Sequence, residues 1–463
     1  MKGENLMIKK TLAQIALMAN GEKLDLQYQN VVIEGVSIDT RTISPGNLYI
    51  PIIGETFNGH QFVESAIDNG AVAVLWGSDQ PNPPQQIPVI FVKDTLEALQ
   101  TLSKNYRDEL SIKVVGITGS NGKTTTKDMV TAVLSTKMRV QKTEGNFNNH
   151  IGLPLTLLRL KEDTEVAVLE MGMSAFGEIE FLTLLARPDV AVITNIGESH
   201  MMDLGSREGI AKAKLEIVDG LAKDGLLIYH GDEPLLTERV KAMDIHTTTF
   251  GETTKNDLYP LRIKQENEGT YFSINEQENK EFYVPVLGKH NVNNAMAAIE
   301  VARHFGLSWD QIENGLKQIK ITNMRLELIE GVNGTKLIND AYNASPLSMK
   351  AAISLVHDLK SSGKKIVVLG DMLELGDNEN EYHEEVGRFI QPDKVDYVFT
   401  YGTLGEHIAN GAKELFPEER VSAFQDKEKL IEALRNLLSE EDILLVKGSR
   451  GMKLEEVIFA FKK

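Results

Sequence analysis

Residues 118–126 read Thr-Gly-Ser-Asn-Gly-Lys-Thr-Thr-Thr and follow an apolar run at 114–117. The order is therefore strand, glycine-containing loop, lysine and helix start. In such a loop, small residues let backbone N–H groups converge on phosphate oxygens, and the lysine adds a mobile positive charge. The threonine after the lysine can bind the Mg²⁺ that accompanies ATP. The pattern predicts an ATP site formed by Gly119, Ser120, Asn121, Gly122, Lys123, Thr124 and Thr125.

This loop is a variant of the usual nucleotide-binding pattern. The strict form G-x-x-x-x-G-K-[ST] would require glycine at position 117, where the chain has Ile117. The alternative interpretation is a glycine-rich turn that carries a surface lysine. The order of strand, loop and helix favours phosphate binding.

Two side chains that follow predicted strands are candidate ligands for the metal. Glu170 directly follows the apolar run 166–169, and His200 lies a few residues after the run 190–193. Ligands of open parallel sheets gather beyond the carboxyl ends of the strands, and an imidazole nitrogen can bind a metal ion. Either residue alone also fits a solvent-exposed loop position. Their joint placement beside the phosphate loop favours a metal site.

Lys214 lies on a predicted core-facing stripe. A helix that starts near Glu208 would have its apolar stripe at Ile210, Ile217, Val218 and Leu221, with Lys214 in the middle. Loss of hydration disfavours the ammonium form, and the neutral amine can accept carbon dioxide as a carbamate, which is an anionic metal ligand. The alternative is a lysine whose stem covers apolar surface while its ammonium group reaches water.

Two asparagine-rich segments are candidate ligand-binding regions. Asn146, Asn148 and Asn149 lie in a predicted loop, and such amides can grip a peptide-like substrate. Asn291 and Asn294 lie early in a predicted helix, where they can read a purine or its sugar. The capping of turns and helices is the alternative interpretation for both segments.

Further candidates lie near the two ends of the chain. Arg325 can neutralise a transferring phosphoryl group, and Asp340, at a predicted strand end, can hold ribose hydroxyls. In the first part of the chain, a strand end with a cation suits a phosphate-bearing ligand. The candidate substrate-binding residues outside the asparagine loop are Ser37, Asp39, Thr40, Arg41, Lys447 and Arg450.

Three successive stretches of alternating strand and helix patterns must position these residues. The fold class predicted is α/β with three domains: a small N-terminal domain, a central P-loop domain with a parallel sheet, and a C-terminal Rossmann-like domain. The predicted joints are polar segments near Lys104–Asp108 and Lys320–Asn323, which gives domains at 1–106, 107–322 and 323–463. The predicted strands are 36–38, 48–50, 71–76, 114–117, 166–169, 190–193, 336–339, 366–369, 397–400 and 443–446.

Composition restricts the partners and the location. A formal charge of −18 over 463 residues makes the average surface repel nucleic acid and anionic lipid, so we expect no nucleic acid partner. The chain has no cysteine, which excludes disulfides and thiolate chemistry. Met1–Asn20 has the interrupted apolar pattern of an amphipathic helix, and no segment is an unbroken apolar twenty-mer. We expect a cytoplasmic protein that is not inserted in a membrane.

The sequence resembles the Mur ligases, the ATP-dependent amide-forming enzymes of peptidoglycan precursor synthesis, over essentially its whole length. The motifs occur in the family's order, with one small departure at Ser199, where alanine is expected. The motifs are the phosphate loop, Leu-Glu170-Met-Gly, Thr-Asn195-Ile with His200, Ala-Lys214-Leu-Glu-Ile, His-Asn291-Val-Asn-Asn, Met-Arg325-Leu-Glu and Asn-Asp340-Ala-Tyr-Asn-Ala-Ser-Pro.

The resemblance implies a first domain that binds the UDP end of the substrate, a second that binds ATP, and a third that closes with the incoming amino component. Segments at 145–154, 370–376 and 447–450 are similar to the member that joins D-alanyl-D-alanine to UDP-N-acetylmuramoyl-tripeptide. The implied cofactors are ATP, Mg²⁺ and a carbamylated Lys214. The implied catalytic residues are Lys123, Glu170, His200, Lys214 and Arg325, and the implied metal ligands are Thr124, Glu170, His200 and Lys214.

Other interpretations stay open at this point. The sister enzyme that adds the third amino acid is disfavoured because its Asp-Asn-Pro-Arg motif is absent. A folate polyglutamate ligase shares the phosphate loop but lacks the N-terminal UDP-binding domain. A nucleotide-gated switch that hydrolyses ATP without forming a bond is a third possibility. We expect a monomer, and whether the tripeptide ends in lysine or diaminopimelate is left open.

Overall fold

The computed structural model describes residues 7–463 and contains three sheet-centred units in chain order. In the first unit a parallel sheet, β3-β4-β5-β6, lies beside an antiparallel pair, β1-β2. Its strands and helices are β1 (Lys9–Thr11), α1 (Leu12–Met18), β2 (Val32–Glu34), β3 (Val36–Ser37), β4 (Leu48–Tyr49), α2 (Val63–Asp68), β5 (Ala73–Gly77), β6 (Val89–Val92) and α3 (Thr95–Glu109).

Helix α1 begins where Thr11 and Gln14 form a reciprocal capping box. It covers part of the segment predicted as an amphipathic helix, and residues 1–6 of that segment lie outside the described residues.

Helix α3 connects the first unit to the second. The polar residues Lys104–Asp108, which were predicted as a joint, form the last part of this helix. The same stretch carries Tyr106, which donates a hydrogen bond to the carbonyl of Leu160, and Arg107, which donates to Ala186. The chain therefore passes to the next sheet between Glu109 and Lys113.

The central unit is built on a six-stranded, fully parallel sheet with the order β12-β11-β10-β7-β9-β8. Alternate residues of β7 face opposite layers: Val115 and Ile117 pack towards α4 and α10, and Val114 packs towards α5 and α6. The elements are β7 (Lys113–Thr118), α4 (Lys123–Leu134), β8 (Val140–Lys142), α5 (Gly152–Leu158), β9 (Val166–Glu170), α6 (Glu178–Ala186), β10 (Val190–Ile193), α7 (Met201–Leu204), α8 (Arg207–Leu215), β11 (Leu226–His230), α9 (Pro234–Val240), β12 (His246–Phe250), β13 (Pro260–Glu266), β14 (Gly269–Ile274), β15 (Gln277–Val284), α10 (Asn291–His304) and α11 (Trp309–Lys317).

The C-terminal unit has a six-stranded sheet with the order β16-β17-β21-β18-β19-β20, in which only the edge strand β16 is antiparallel. Helices cover both faces, as in a doubly wound fold. The elements are β16 (Glu327–Glu330), β17 (Lys336–Asp340), α12 (Pro346–Asp358), β18 (Lys365–Gly370), α13 (Glu379–Phe389), β19 (Tyr397–Tyr401), α14 (Gly405–Lys413), β20 (Val421–Phe424), α15 (Lys427–Leu437), β21 (Ile443–Lys447) and α16 (Glu455–Phe459).

The predicted α/β class with three domains is confirmed. No helix in residues 7–463 combines the length and the apolar character needed to cross a bilayer.

Candidate active site

A cavity of about 670 Å³ lies between the carboxyl ends of the central and C-terminal sheets. Strand-end residues of both sheets line it, among them Glu170 at the end of β9 and Asp340 at the end of β17. It therefore occupies the position where parallel sheets bind ligands. The predicted residues that line it are Ser120, Asn121, Gly122, Lys123, Thr124, Thr125, Asn148, Asn149, Glu170, His200, Asn291, Asn294, Arg325, Asp340 and Lys447.

The phosphate loop between β7 and α4 depends on glycine at two positions. Gly119 has φ +145° and Gly122 has φ +80°, and both values favour glycine. A Cβ atom on Gly119 would lie 1.9 Å from Oγ1 of Thr194. The loop therefore packs against its neighbours too closely for any side chain at this position.

The segment after β10 holds this loop in place. The backbone N–H of Asn121 donates to Oδ1 of Asn195 across 3.0 Å, and the hydroxyl of Thr194 donates to the Asn121 carbonyl across 2.6 Å. The hydroxyl of Ser120 accepts a hydrogen bond from the backbone N–H of Gly197. These bonds fix the loop backbone before any ligand binds.

Lys123 begins α4 and folds back over the loop. Its Nζ donates to the carbonyls of Gly119, across 2.7 Å, and Ser120, across 3.3 Å. Burial lowers the pKa of Lys123 to about 8; the charge of Glu170 opposes this shift, and the charge of Arg325 acts in the same direction as burial. The ammonium group thus stands in the cavity wall beside a second cation and one carboxylate.

Glu170 is buried and its two carboxylate oxygens have different environments. Oε1 accepts a hydrogen bond from Nδ2 of Asn148 across 3.0 Å. Oε2 is buried without a hydrogen-bond partner among the described residues and lies 3.7 Å from Nζ of Lys127. A buried carboxylate oxygen without a hydrogen-bond partner, on a residue that lines a cavity, is suited to bind a cation.

His200 stands at the start of α7 with a left-handed backbone, φ +62°. Its Nδ1 lies 3.0 Å from Oε2 of Glu374, which belongs to the C-terminal unit. Burial, followed by the charge of Lys123, lowers the pKa of His200. The imidazole is therefore held mainly neutral, which is the form that binds a metal.

Lys214 lies on α8 and is 2 % exposed. Burial, followed by the charge of Lys123, lowers the pKa of Lys214 well below that of an ordinary lysine. The α-helix begins at Arg207 and ends at Leu215, so Ile217, Val218 and Leu221 of the predicted stripe lie beyond it. A 3₁₀ helix at Glu216–Gly220 follows. The prediction of a buried lysine is confirmed, although the helix is shorter than predicted.

Asn291 and Asn294 form a hydrogen-bonded chain behind the phosphate loop. Asn291 donates to the Leu287 carbonyl, Asn294 donates to Oδ1 of Asn291, and the hydroxyl of Thr126 donates to Oδ1 of Asn294. Both asparagines are buried and line the cavity. Some of the hydrogen-bonding groups of these two side chains are thus used to join α10 to α4.

The C-terminal unit brings a cation and an ion pair to the cavity. The guanidinium of Arg325 lies 4.3 Å from the ring centre of Tyr342, and its Nε is buried without a hydrogen-bond partner among the described residues. Nζ of Lys447 donates to Oδ2 of Asp340 across 2.7 Å. The hydroxyl of Ser345 donates to Oδ1 of Asn121 across 3.3 Å, so this unit touches the phosphate loop directly.

The other predicted residues lie outside the cavity lining. Gly119 and Lys214 do not line the cavity, and Asn146 is exposed in the loop before α5. Arg450 pairs with Glu455, and Arg41 pairs with Asp39. The first unit's candidates, Ser37, Asp39, Thr40 and Arg41, cluster at the carboxyl end of β3, where Asp39 caps a 3₁₀ helix.

Sequence reasoning missed several residues at this site. Lys127 is 1 % exposed and lies beside Glu170, and Ser345 reaches the phosphate loop. Lys127 follows Lys123 by one helical turn, but the intervening threonines carry no apolar stripe that would have predicted its burial. For Asn149 the capping alternative is supported, since its Oδ1 accepts from the N–H groups of Ile151 and Gly152.

Comparisons with known proteins agree with this arrangement. Three family models match: "Mur ligase family, catalytic domain" at residues 32–107, "Mur ligase middle domain" at 117–302 and "Mur ligase, glutamate ligase domain" at 324–450. The chain is 57 % identical over 452 residues, 98 % of each chain, to "UDP-N-acetylmuramoyl-tripeptide--D-alanyl-D-alanine ligase" of Bacillus subtilis (strain 168).

Two solved structures are similar over nearly the whole chain. Crystal structure I of MurF from Acinetobacter baumannii matches with a TM-score of 0.87 at 29 % identity, covering 98 % of this chain and 99 % of that one. The MurF ligase of Thermotoga maritima in complex with ADP matches with a TM-score of 0.80 at 29 % identity, covering 92 % and 96 %.

Proposed function

Because this chain belongs to the Mur ligase family, we propose that it joins D-alanyl-D-alanine to UDP-N-acetylmuramoyl-tripeptide while ATP is cleaved to ADP and phosphate. The observation that carries this proposal is a phosphate loop that faces the end of a second parallel sheet across one cavity. A ligase needs this arrangement, because it must bring a nucleotide and an amine to one carboxylate. The relative from Bacillus subtilis carries this activity in its name.

The reaction proceeds in two steps. The terminal carboxylate of the tripeptide attacks the γ-phosphorus of ATP, the bond to the bridging oxygen breaks, and ADP and an acyl phosphate result. The neutral amine of D-alanyl-D-alanine then attacks the acyl carbon, loses a proton, and expels phosphate as the amide forms. Phosphorylation is required because a free carboxylate has no adequate leaving group at neutral pH.

The main electrostatic obstacle is the approach of a carboxylate to a polyphosphate. Lys123 and Arg325 both line the cavity, and the charge of Arg325 acts on Lys123. Two fixed cations offset the repulsion between the anions and stabilise charge on the transferring phosphoryl group. We assign these two residues that role.

Mg²⁺ fits the cavity through a small number of protein ligands. No group of three or more His, Cys, Asp or Glu side chains is arranged for a metal within the described part of the chain. Magnesium in nucleotide enzymes usually takes one or two carboxylates and completes its shell with phosphates and water, so the buried Oε2 of Glu170 suits it. We propose that Thr124 and Glu170 would hold one Mg²⁺ and that His200 and carbamylated Lys214 would hold another, where the metal would neutralise phosphate charge.

Carbamylation of Lys214 is part of this proposal. The modification needs a neutral amine, and burial beside Lys123 favours that form. The carbamate would place an anion next to Lys123, where an ammonium group on Lys214 would repel it. His200, whose pKa is lowered partly by Lys214, would then face an anion as well.

We further propose that the first unit binds the UDP end through Ser37, Asp39, Thr40 and Arg41. Asn291, Asn294 and Asp340 then hold the nucleoside of ATP, and Asn146, Asn148, Asn149, Lys447 and Arg450 contribute to the peptide substrates. The proposed domain spans are 1–106, 107–322 and 323–463. The model "Mur ligase family, catalytic domain" matches residues 32–107, within the N-terminal domain that a folate polyglutamate ligase lacks. This match supports the D-alanyl-D-alanine ligase over a folate polyglutamate ligase. We expect a cytoplasmic monomer.

The deciding experiment supplies ATP, Mg²⁺, D-alanyl-D-alanine and both UDP-tripeptides, ending in lysine or in diaminopimelate, and identifies the product by mass. We expect one UDP-pentapeptide, with ATP consumption that requires the dipeptide. ATP hydrolysis that is indifferent to D-alanyl-D-alanine would instead support the nucleotide-switch alternative.

A further inference from the structure

Asp128 occupies a buried junction between the ATP-binding helix and the connection to the C-terminal unit. Its side chain is fully buried on α4, whose first turn carries Lys123 and Thr124. Oδ2 accepts two hydrogen bonds from Thr322, one from the backbone N–H across 2.9 Å and one from the hydroxyl across 2.8 Å. Thr322 lies in the connection between α11 and β16.

The other oxygen of Asp128 is held by lysines. Oδ1 accepts a hydrogen bond from Nζ of Lys142, on β8, across 2.7 Å and lies 3.7 Å from Nζ of Lys127. A carboxylate with partners on both oxygens has a fixed orientation. The connection is therefore attached to a rigid point of the central sheet and not only to its neighbours in the chain.

Arg325 follows Thr322 by three residues, in a segment with an unusual backbone. Met324 has φ +62° and Leu326 has φ +52°, which are left-handed values that cost energy for residues other than glycine. The N–H of Leu326 donates to Oδ1 of Asp340 across 3.1 Å. Hydrogen bonds thus hold this segment at both ends: Asp128 of the central unit binds Thr322, and Asp340 of the C-terminal unit binds Leu326.

We propose that Asp128 is a positioning residue: by fixing Thr322 it sets the point from which Arg325 enters the cavity. Asp128 does not line the cavity and would not touch a substrate, so its effect passes through the placement of the Arg325 guanidinium. This inference rests on the ligase function proposed above, in which Arg325 acts on the transferring phosphoryl group.

The test uses the full-length protein with Thr322→Val, which removes one of the two hydrogen bonds, and Asp128→Asn, which weakens both. Thr131→Val is the control, because its hydroxyl lies on the same helix and donates only to the Lys127 carbonyl. We expect Thr322→Val to lower kcat about five- to tenfold with a KM for ATP within about twofold, and Asp128→Asn to lower it more. Thr131→Val should change neither by more than about twofold.

The distinguishing measurement is a double-mutant cycle with Arg325→Ala. If Asp128 acts through Arg325, Thr322→Val should change kcat by less than about twofold once the guanidinium is gone. An equal loss in both backgrounds, or an unchanged kcat for Thr322→Val and Asp128→Asn, would overturn the inference.

Hydrogen exchange of residues 318–326 provides a readout that does not depend on turnover. Exchange should be about tenfold or more faster in Thr322→Val and unchanged in Thr131→Val. Unchanged exchange in Thr322→Val would overturn the anchoring role even if Arg325→Ala has no measurable activity. Failure of the wild-type protein to form a UDP-pentapeptide would instead contradict the ligase function itself.

Discussion

Gly122 and Asn294 lie so close together that a Cβ atom on Gly122 would be 2.5 Å from Oδ1 of Asn294. Gly122 also has a left-handed backbone, φ +80°. Glycine is therefore favoured at position 122 for two reasons: the backbone is left-handed there, and the side-chain amide of Asn294, on α10, occupies the space that a Cβ atom would need. The loop and α10 form one preassembled surface.

We predict that Gly122→Ala weakens ADP binding about tenfold or more, because the new methyl group must displace either the loop or Asn294. Calorimetric titration with ADP measures this loss. Gly306→Ala is the matched control, since Gly306 also has positive φ, +70°, but has nothing within 4 Å of a new Cβ atom. Equal ADP affinities for the two variants would show that the contact with Asn294 has no effect on the loop.

For Lys123→Ala we expect kcat to fall at least about a hundredfold while ADP affinity falls much less. The charge of Lys123 matters most when negative charge moves between oxygens during phosphoryl transfer. Pre-steady-state and binding measurements on the same preparation separate the two effects. Wild-type turnover in this variant would contradict the role assigned to the phosphate loop.

The pH dependence of the reaction should report Lys123. Burial lowers the pKa of Lys123 to about 8, so the free enzyme loses its ammonium charge as pH rises through 8. We expect kcat/KM for ATP to fall about tenfold per pH unit above that value, at saturating concentrations of the other substrates. Bound phosphates stabilise the ammonium form, so kcat should remain flat over the same range. A flat kcat/KM up to pH 10 would rule out this titration.

Lys214→Ala should abolish ligation if a carbamate at this position supplies an anionic ligand. Added short-chain carboxylates should restore part of the activity, because they can enter the space left by the side chain and replace the missing anion. Lys212→Ala, on the same helix but outside the buried face, is the control and should remain active. Full activity of Lys214→Ala without any additive would eliminate the role.

Glu300, on α10, provides a stability test remote from the chemistry. Its Oε1 is buried without a hydrogen-bond partner among the described residues, and burial raises the pKa of Glu300 to about 7 although Arg303 opposes the shift. The folded protein therefore binds a proton between about pH 4.5 and 7 that the unfolded chain releases, so Glu300 increasingly destabilises the fold as pH rises through this window.

We thus predict that Glu300→Gln raises the free energy of unfolding by about 1–3 kcal/mol at pH 8 and has little effect below pH 4.5. Urea denaturation at several pH values measures the difference. Glu238→Gln, at an exposed position, is the control. A pH-independent effect of Glu300→Gln would show that the carboxyl group does not titrate in this window.

Apolar runs predicted the buried parallel strands well because such strands are apolar on both faces. The run 190–193 coincides with β10, and 443–446 differs from β21 by one residue. Strands β13 and β15 were not predicted, since exposed polar residues interrupt their pattern, and β14 between them was not predicted although it is mostly buried. The polar segment Lys104–Asp108, predicted as the first joint, lies within α3.

At the site, the sequence predicted residues whose position follows directly from a strand end, such as Glu170 and Asp340. It did not predict which way a side chain turns after the strand. Arg450, three residues after β21, pairs with Glu455, whereas Lys447 at the strand end turns into the cavity. Contacts between distant segments, such as Asp128 with Thr322, leave no local pattern that a single sequence could show.

The contact of Ser345 with Asn121 joins segments 224 residues apart and places one sheet's first long helix directly on the other sheet's nucleotide loop. A fragment that ended before Arg325 would expose this loop to water and would lack both Arg325 and Asp340. The smallest piece of the molecule that can hold a reactive mixed anhydride away from hydrolysis is therefore the two sheets together.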